Sequence, residues 1–81
     1  MVDHFEEFTC AMHDKLTANQ HKRGTARGRL TAHQMLAFLK IEVAELEAAF
    51  DHLGPADVME ELIDIGCFAL LMHKKVSEGV V

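Results

Sequence analysis

"KIEVAELEAAFDHLGPADVMEELIDIGCFALLM", residues 40–72, decides the fold of this chain. Two apolar segments are parted by Gly54 and Pro55, a pair that stops one helix and lets another begin. Leu36, Leu39, Val43, Leu46 and Phe50 step by three and four residues, the seam of a helix packed on a neighbour. Val58, Leu62, Ile65, Ala69, Met72 and Val76 repeat the pattern in the following segment. Beside each seam runs a second row at the same spacing: Phe38, Glu42, Glu45 and Ala49 on the first, Glu61, Asp64, Phe68 and Leu71 on the second. Carboxylates therefore sit at the edge of the faces the chain most needs to bury, and Asp64 is followed by eight residues without a charge.

Outward from this pair, the N-terminal segment from about Asp3 to Thr17 sets Phe5, Phe8, Met12 and Leu16 at helical spacing. A basic segment, "NQHKRGTARGR" at 19–29, reads as a loop broken by Gly24 and Gly28. Thr31 and Gln34 have capping-box spacing, so the second helix starts near residue 32 and ends at "DHLGP". Asp57 and Glu60 have the same spacing and are expected to open a third helix that runs to about Lys75. No strand alternation or internal repeat competes. The fold class is all-α: one domain over residues 1–81, a short antiparallel helical bundle. Completion by oligomerisation is expected, because a chain this small has little of its own to cover an apolar third helix.

Composition narrows the function. Hydrophobic residues make up 49% of the 81, which suits a globular helical domain and argues against disorder. No apolar run approaches the roughly 20 residues that span a bilayer. The start, "MVDHFEEF", lacks a signal-peptide pattern, and Cys10 and Cys67 have no metal-knuckle spacing and read as reduced thiols. The expectation is a cytoplasmic protein with no membrane partner. A net charge of −5 counts against nucleic acid as a partner. That charge is unevenly spread: six of the eight Lys and Arg lie between residues 15 and 41 with no acid among them, and eight acids lie between 42 and 64 with no Lys or Arg. The six histidines form no HExxH-type spacing and read as surface positions. Phe5, Phe8, Phe38 and Phe68 read as core more readily than as a stacking platform.

The acids need an explanation. A carboxylate taken from water without a partner costs several kcal/mol, and converging carboxylates repel one another. Glu42 with Glu45, and Glu61 with Asp64, are spaced i, i+3, which places each pair on one helix face. Two such pairs on antiparallel helices would make a four-carboxylate cage, which suits a hard divalent cation. Either pair alone is common on solvated helix faces; the ordered pair of pairs is more specific.

At these residues the chain resembles the MazG-like all-α nucleoside triphosphate pyrophosphohydrolases. Members show EExxEL on one helix and EELxDL on the next; here stand "IEVAEL" at 41–46 and "EELIDI" at 60–65, with Ile41 in place of the family's leading Glu. The resemblance covers about residues 36–76. It implies that Glu42, Glu45, Glu61 and Asp64 are ligands of Mg²⁺, with Mn²⁺ as an alternative ion, and carry the catalysis. It implies cleavage of an NTP or dNTP between the α- and β-phosphates, giving a monophosphate and pyrophosphate. It also implies a homodimer or homotetramer. Lys22, Arg23, Arg27, Arg29 and Lys40 are weaker candidates for contacts with the substrate phosphates. Two alternatives stand beside this reading. One is a non-catalytic helical adaptor or regulatory dimer. The other is phosphoribosyl-ATP pyrophosphohydrolase, which shares the acidic pattern but tends to carry a His where this chain has Phe68.

Overall fold

A computed structural model describes residues 3–18 and 30–81. Within them lie three helices and no strand: α1 (His4–Ala18), α2 (Ala32–His52) and α3 (Pro55–Ser77). The all-α expectation holds. α3 is the middle element and packs on both α2 and α1.

Local chemistry sets the helix ends. The Asp3 carboxylate accepts from the Phe5 and Glu6 backbone N–H groups at 3.0 and 3.3 Å, satisfying donors that no helical carbonyl reaches. The capping box at α2 forms as its spacing predicts: Gln34 N–H donates to Thr31 Oγ1 at 3.1 Å, and Thr31 N–H donates to Gln34 Oε1 at 3.0 Å. The expected box at Asp57 does not form. α3 begins earlier, with Gly54 as its N-cap and Pro55 in the first turn, leaving Asp57 inside that turn. Proline is at ease there because its missing N–H would have had no partner.

At the far end of α3, Gly79 adopts a φ of +81°, the left-handed region that favours glycine. The chain turns back, Val80 N–H donates to the Lys75 carbonyl at 2.8 Å, and the Val80 and Val81 carbonyls accept from Ala32 and His33 N–H at 3.1 and 3.4 Å. The antiparallel pair α2–α3 is thus joined at both ends.

The face that packs is only partly the expected one: Leu39 and Leu46 of the α2 seam, and Val58, Ile65 and Met72 of the α3 seam, are half-buried. Ala32, Met35 and Ala49 are buried on α2, with Leu39, Glu42 and Leu46 half-buried between them. On α3 the buried pair is Cys67 and Phe68, flanked by half-buried Glu61, Asp64 and Leu71. The expected seams instead lie partly in solvent: Leu36, Val43, Leu62 and Val76 are exposed, and Phe50 is 66% exposed. Each of α2 and α3 carries two apolar rows, and the described chain offers too little surface to cover both. Ala32, Met35, Ala49, Cys67 and Phe68 are the residues that end up fully buried.

α1 buries no residue completely. Met12 and Leu16 are half-buried, while Phe5 is exposed. Phe8 and Met12 lie over Gly66, where an added Cβ would stand 2.8 Å from Phe8 Cζ and 3.1 Å from Met12 Sδ. Of the four phenylalanines weighed as core, only Phe68 is buried, and Phe5, Phe8 and Phe38 are exposed. The histidines among the described residues are exposed, as expected. Cys10 and Cys67 are both free thiols.

Candidate metal centre

The mixed rows of α2 and α3 face each other, and this brings the acids together. Glu42, Glu45 and Glu61 each offer an oxygen within 4.8 Å of the others. Glu42 and Glu45 come from one turn of α2 and Glu61 from the second turn of α3, so the pairing of the two helices creates the cluster. Glu45 is exposed, and Glu42 and Glu61 are half-buried. Oε2 of Glu42 and Oε2 of Glu61 are fully buried and have no hydrogen-bond partner.

Electrostatics report the crowding. Burial pushes the Glu42 carboxyl up to about 7, aided by the charges of Glu45 and Asp64. Glu61 is raised for the same reasons, burial first and then the charges of Glu45 and Asp64, with the Lys15 ammonium pulling the other way. These groups are short of positive charge.

Asp64 is spoken for. Its Oδ1 pairs with Lys15 Nζ, which also reaches Glu60 Oε1 at 2.9 Å. Burial alone would lower the Lys15 ammonium, yet the hydrogen bonds and charges of Asp64 and Glu60 outweigh it and hold the group above its usual range. Of the four expected ligands, the structure therefore gathers three directly. It leaves the fourth close enough to raise its neighbours but paired to a cation from α1.

The donor set fits a hard divalent ion. It is all oxygen, it carries unsatisfied buried acceptors, and it is open on the Glu45 side to water or a ligand. The expected phosphate contacts fare differently. Lys22, Arg23, Arg27 and Arg29 lie outside the described residues. Lys40 is exposed on α2, and two residues from Glu42 means roughly 200° around the helix, away from the trio. An open cleft between α1 and α3, lined by Phe8, Ala11, Met59, Leu62 and Ile63 among others, contains none of the four carboxylates. Among the described residues no helix is long and apolar enough to cross a membrane.

Lys15 is the residue that sequence reasoning missed. A lone lysine in the last turn of a helix reads as a complement to the helix dipole. Only the unbroken run of apolar residues around Asp64 hinted that this carboxylate needed a nearby cation.

Fold and site together define, among the described residues, three helices with a carboxylate cluster at the α2–α3 interface. No family model, curated protein or solved structure matches the chain.

Proposed function

We propose that this chain is a Mg²⁺-dependent nucleoside triphosphate pyrophosphohydrolase. The observation that carries the reading is the convergence of Glu42, Glu45 and Glu61 within 4.8 Å, with two buried oxygens lacking any partner. The resemblance of "IEVAEL" and "EELIDI" to the MazG-like motifs supplies the reaction class. Glu42, Glu45, Glu61 and Asp64 would hold the ion. A bound Mg²⁺ supplies neutralisation of phosphate charge and makes a coordinated water more acidic. In the reaction a water oxygen would join the α-phosphorus while its proton passes to one of the carboxylates, the bond from that phosphorus to the bridging oxygen would break, and pyrophosphate would leave. The chain's own share is to fix the carboxylates on two paired helices, so that little reorganisation accompanies binding. Mn²⁺ is the alternative ion, since it accepts the same oxygen donors.

The test is pyrophosphate release from a panel of NTPs and dNTPs, with and without Mg²⁺, with Glu42→Gln and Asp64→Asn as controls. Metal-dependent release, lost by at least about a hundredfold in either variant at unchanged helical content, supports the reading; that loss equals roughly 2.7 kcal/mol of transition-state stabilisation. Equal release from the variants and the wild type would overturn it.

The exposed apolar rows favour a second reading, a helical adaptor or regulatory dimer. Phe50, Leu53 and Ile41 on or beside α2 are more than half exposed, as are Met59 and Val76 on α3. Such a surface serves a partner whether or not the chain is an enzyme. The two readings part on metal. A ligand that binds only the native state raises Tm, so a Mg²⁺-dependent rise favours the enzyme and none favours the adaptor.

A further inference from the structure

Lys15 links α1 to the carboxylate cluster. Its side chain is 20% exposed and that of Asp64 19%, so this ion pair is screened from water far better than an ordinary surface bridge. Its second partner is different in kind: Glu60 lies one helical turn before Asp64 on α3, and its side chain is 63% exposed. The ammonium therefore has an inner anchor in the cluster and an outer anchor in solvent, both reachable from one backbone position. In the trio beside it, Oε2 of Glu42 and Oε2 of Glu61 are buried without a hydrogen-bond partner, and among the described residues no Lys or Arg forms an ion pair with Glu42, Glu45 or Glu61.

Resting on the metal reading above, we propose that Lys15 is a built-in competitor for the divalent ion. Its ammonium pairs with both Asp64 and Glu60 in the metal-free chain, and it gives Asp64 up, keeping Glu60 alone, when Asp64 joins the other three around the metal. Lys15 then sets the ion concentration at which the site fills. Filling the site also releases one of the ties between α1 and α3. The opposite role, in which Lys15 aims Asp64 at the ion and assists binding, predicts the opposite sign.

The experiment uses the full chain without nucleotide. Mg²⁺, and separately Mn²⁺, is titrated calorimetrically into the wild type and Lys15→Met, with helical content checked by circular dichroism. Removing a positive charge a few ångströms from the ion should tighten binding in Lys15→Met by about tenfold or more. Tightening supports competition, as does binding seen in Lys15→Met alone. Wild-type binding that is unchanged or weakened in Lys15→Met overturns the competitor role and leaves the metal reading standing. Binding in neither protein overturns both. A second measurement needs no variant: the rate of amine acylation at Lys15, read by mass spectrometry against exposed Lys40, should rise several-fold on saturation with Mg²⁺. A Lys15 rate that Mg²⁺ saturation leaves unchanged means the ammonium never leaves Asp64, and sinks the proposal.

Discussion

Glu42 is where burial and like charge meet most directly. Its carboxyl is pushed from 4.5 up to about 7, by burial first and then by Glu45 and Asp64. Between those values the folded chain keeps a proton on Glu42 that the unfolded chain has released. The associated stability is therefore fully present below 4.5 and is lost as pH rises through about 7. Glu61 shifts in the same direction. In metal-free buffer, thermal unfolding across this window should show the wild type losing Tm relative to Glu42→Gln, which has no such proton to lose. Parallel curves for the two proteins would mean that Glu42 is not the titrating group. The sequence revealed that Glu42 and Glu45 share one helix face and that Glu61 and Asp64 share another, because i, i+3 spacing is a local fact; that the two faces meet depended on helix packing. It did not reveal that Asp64 is held by Lys15, a partner 49 positions away at the other end of another helix, since nothing local links the two.

Helix by helix, the starts and stops were legible wherever a side chain caps its own neighbours, as Thr31 and Gln34 do. The start of α3 was read three residues late because Asp57 offered a plausible box while Gly54 and Pro55 already sufficed. Which stripe of each helix faces inward was not legible. Two stripes had the right period, and the choice depends on what the opposing helix can accept. Gly66 shows how fine that choice is. Alanine there would improve helix propensity by about 1 kcal/mol, yet its Cβ would stand 2.8 Å from Phe8 Cζ. Overpacking costs about 1–3 kcal/mol, so Gly66→Ala is expected to lower stability by up to about 2 kcal/mol. Adding Phe8→Ala removes the tightest contact and leaves only Met12 Sδ at 3.1 Å, so the same Gly66→Ala change should then cost less. A double-mutant cycle by urea denaturation measures this coupling, and simple additivity would mean that α1 does not press on Gly66 as described.

For the molecule as a whole, the unsettled surface is the pair of apolar rows left in solvent. We propose that a second copy, or a second pair, covers them in a homodimer or homotetramer. Sedimentation should find the wild type associated and Phe50→Glu shifted toward monomer. A wild type that stays monomeric at its highest soluble concentration would remove the proposal. The same geometry carries one further consequence, through the short return of Val80 and Val81 onto the start of α2. With the Gly54–Pro55 turn at the opposite end, α2 and α3 form a buckled strap fastened at both tips. One residue of slip would carry a side chain about 1.5 Å along the axis, a large step for oxygens gathered within 4.8 Å. The Val80 and Val81 carbonyls thus hold the α2–α3 pair in register at the end away from the Gly54–Pro55 turn.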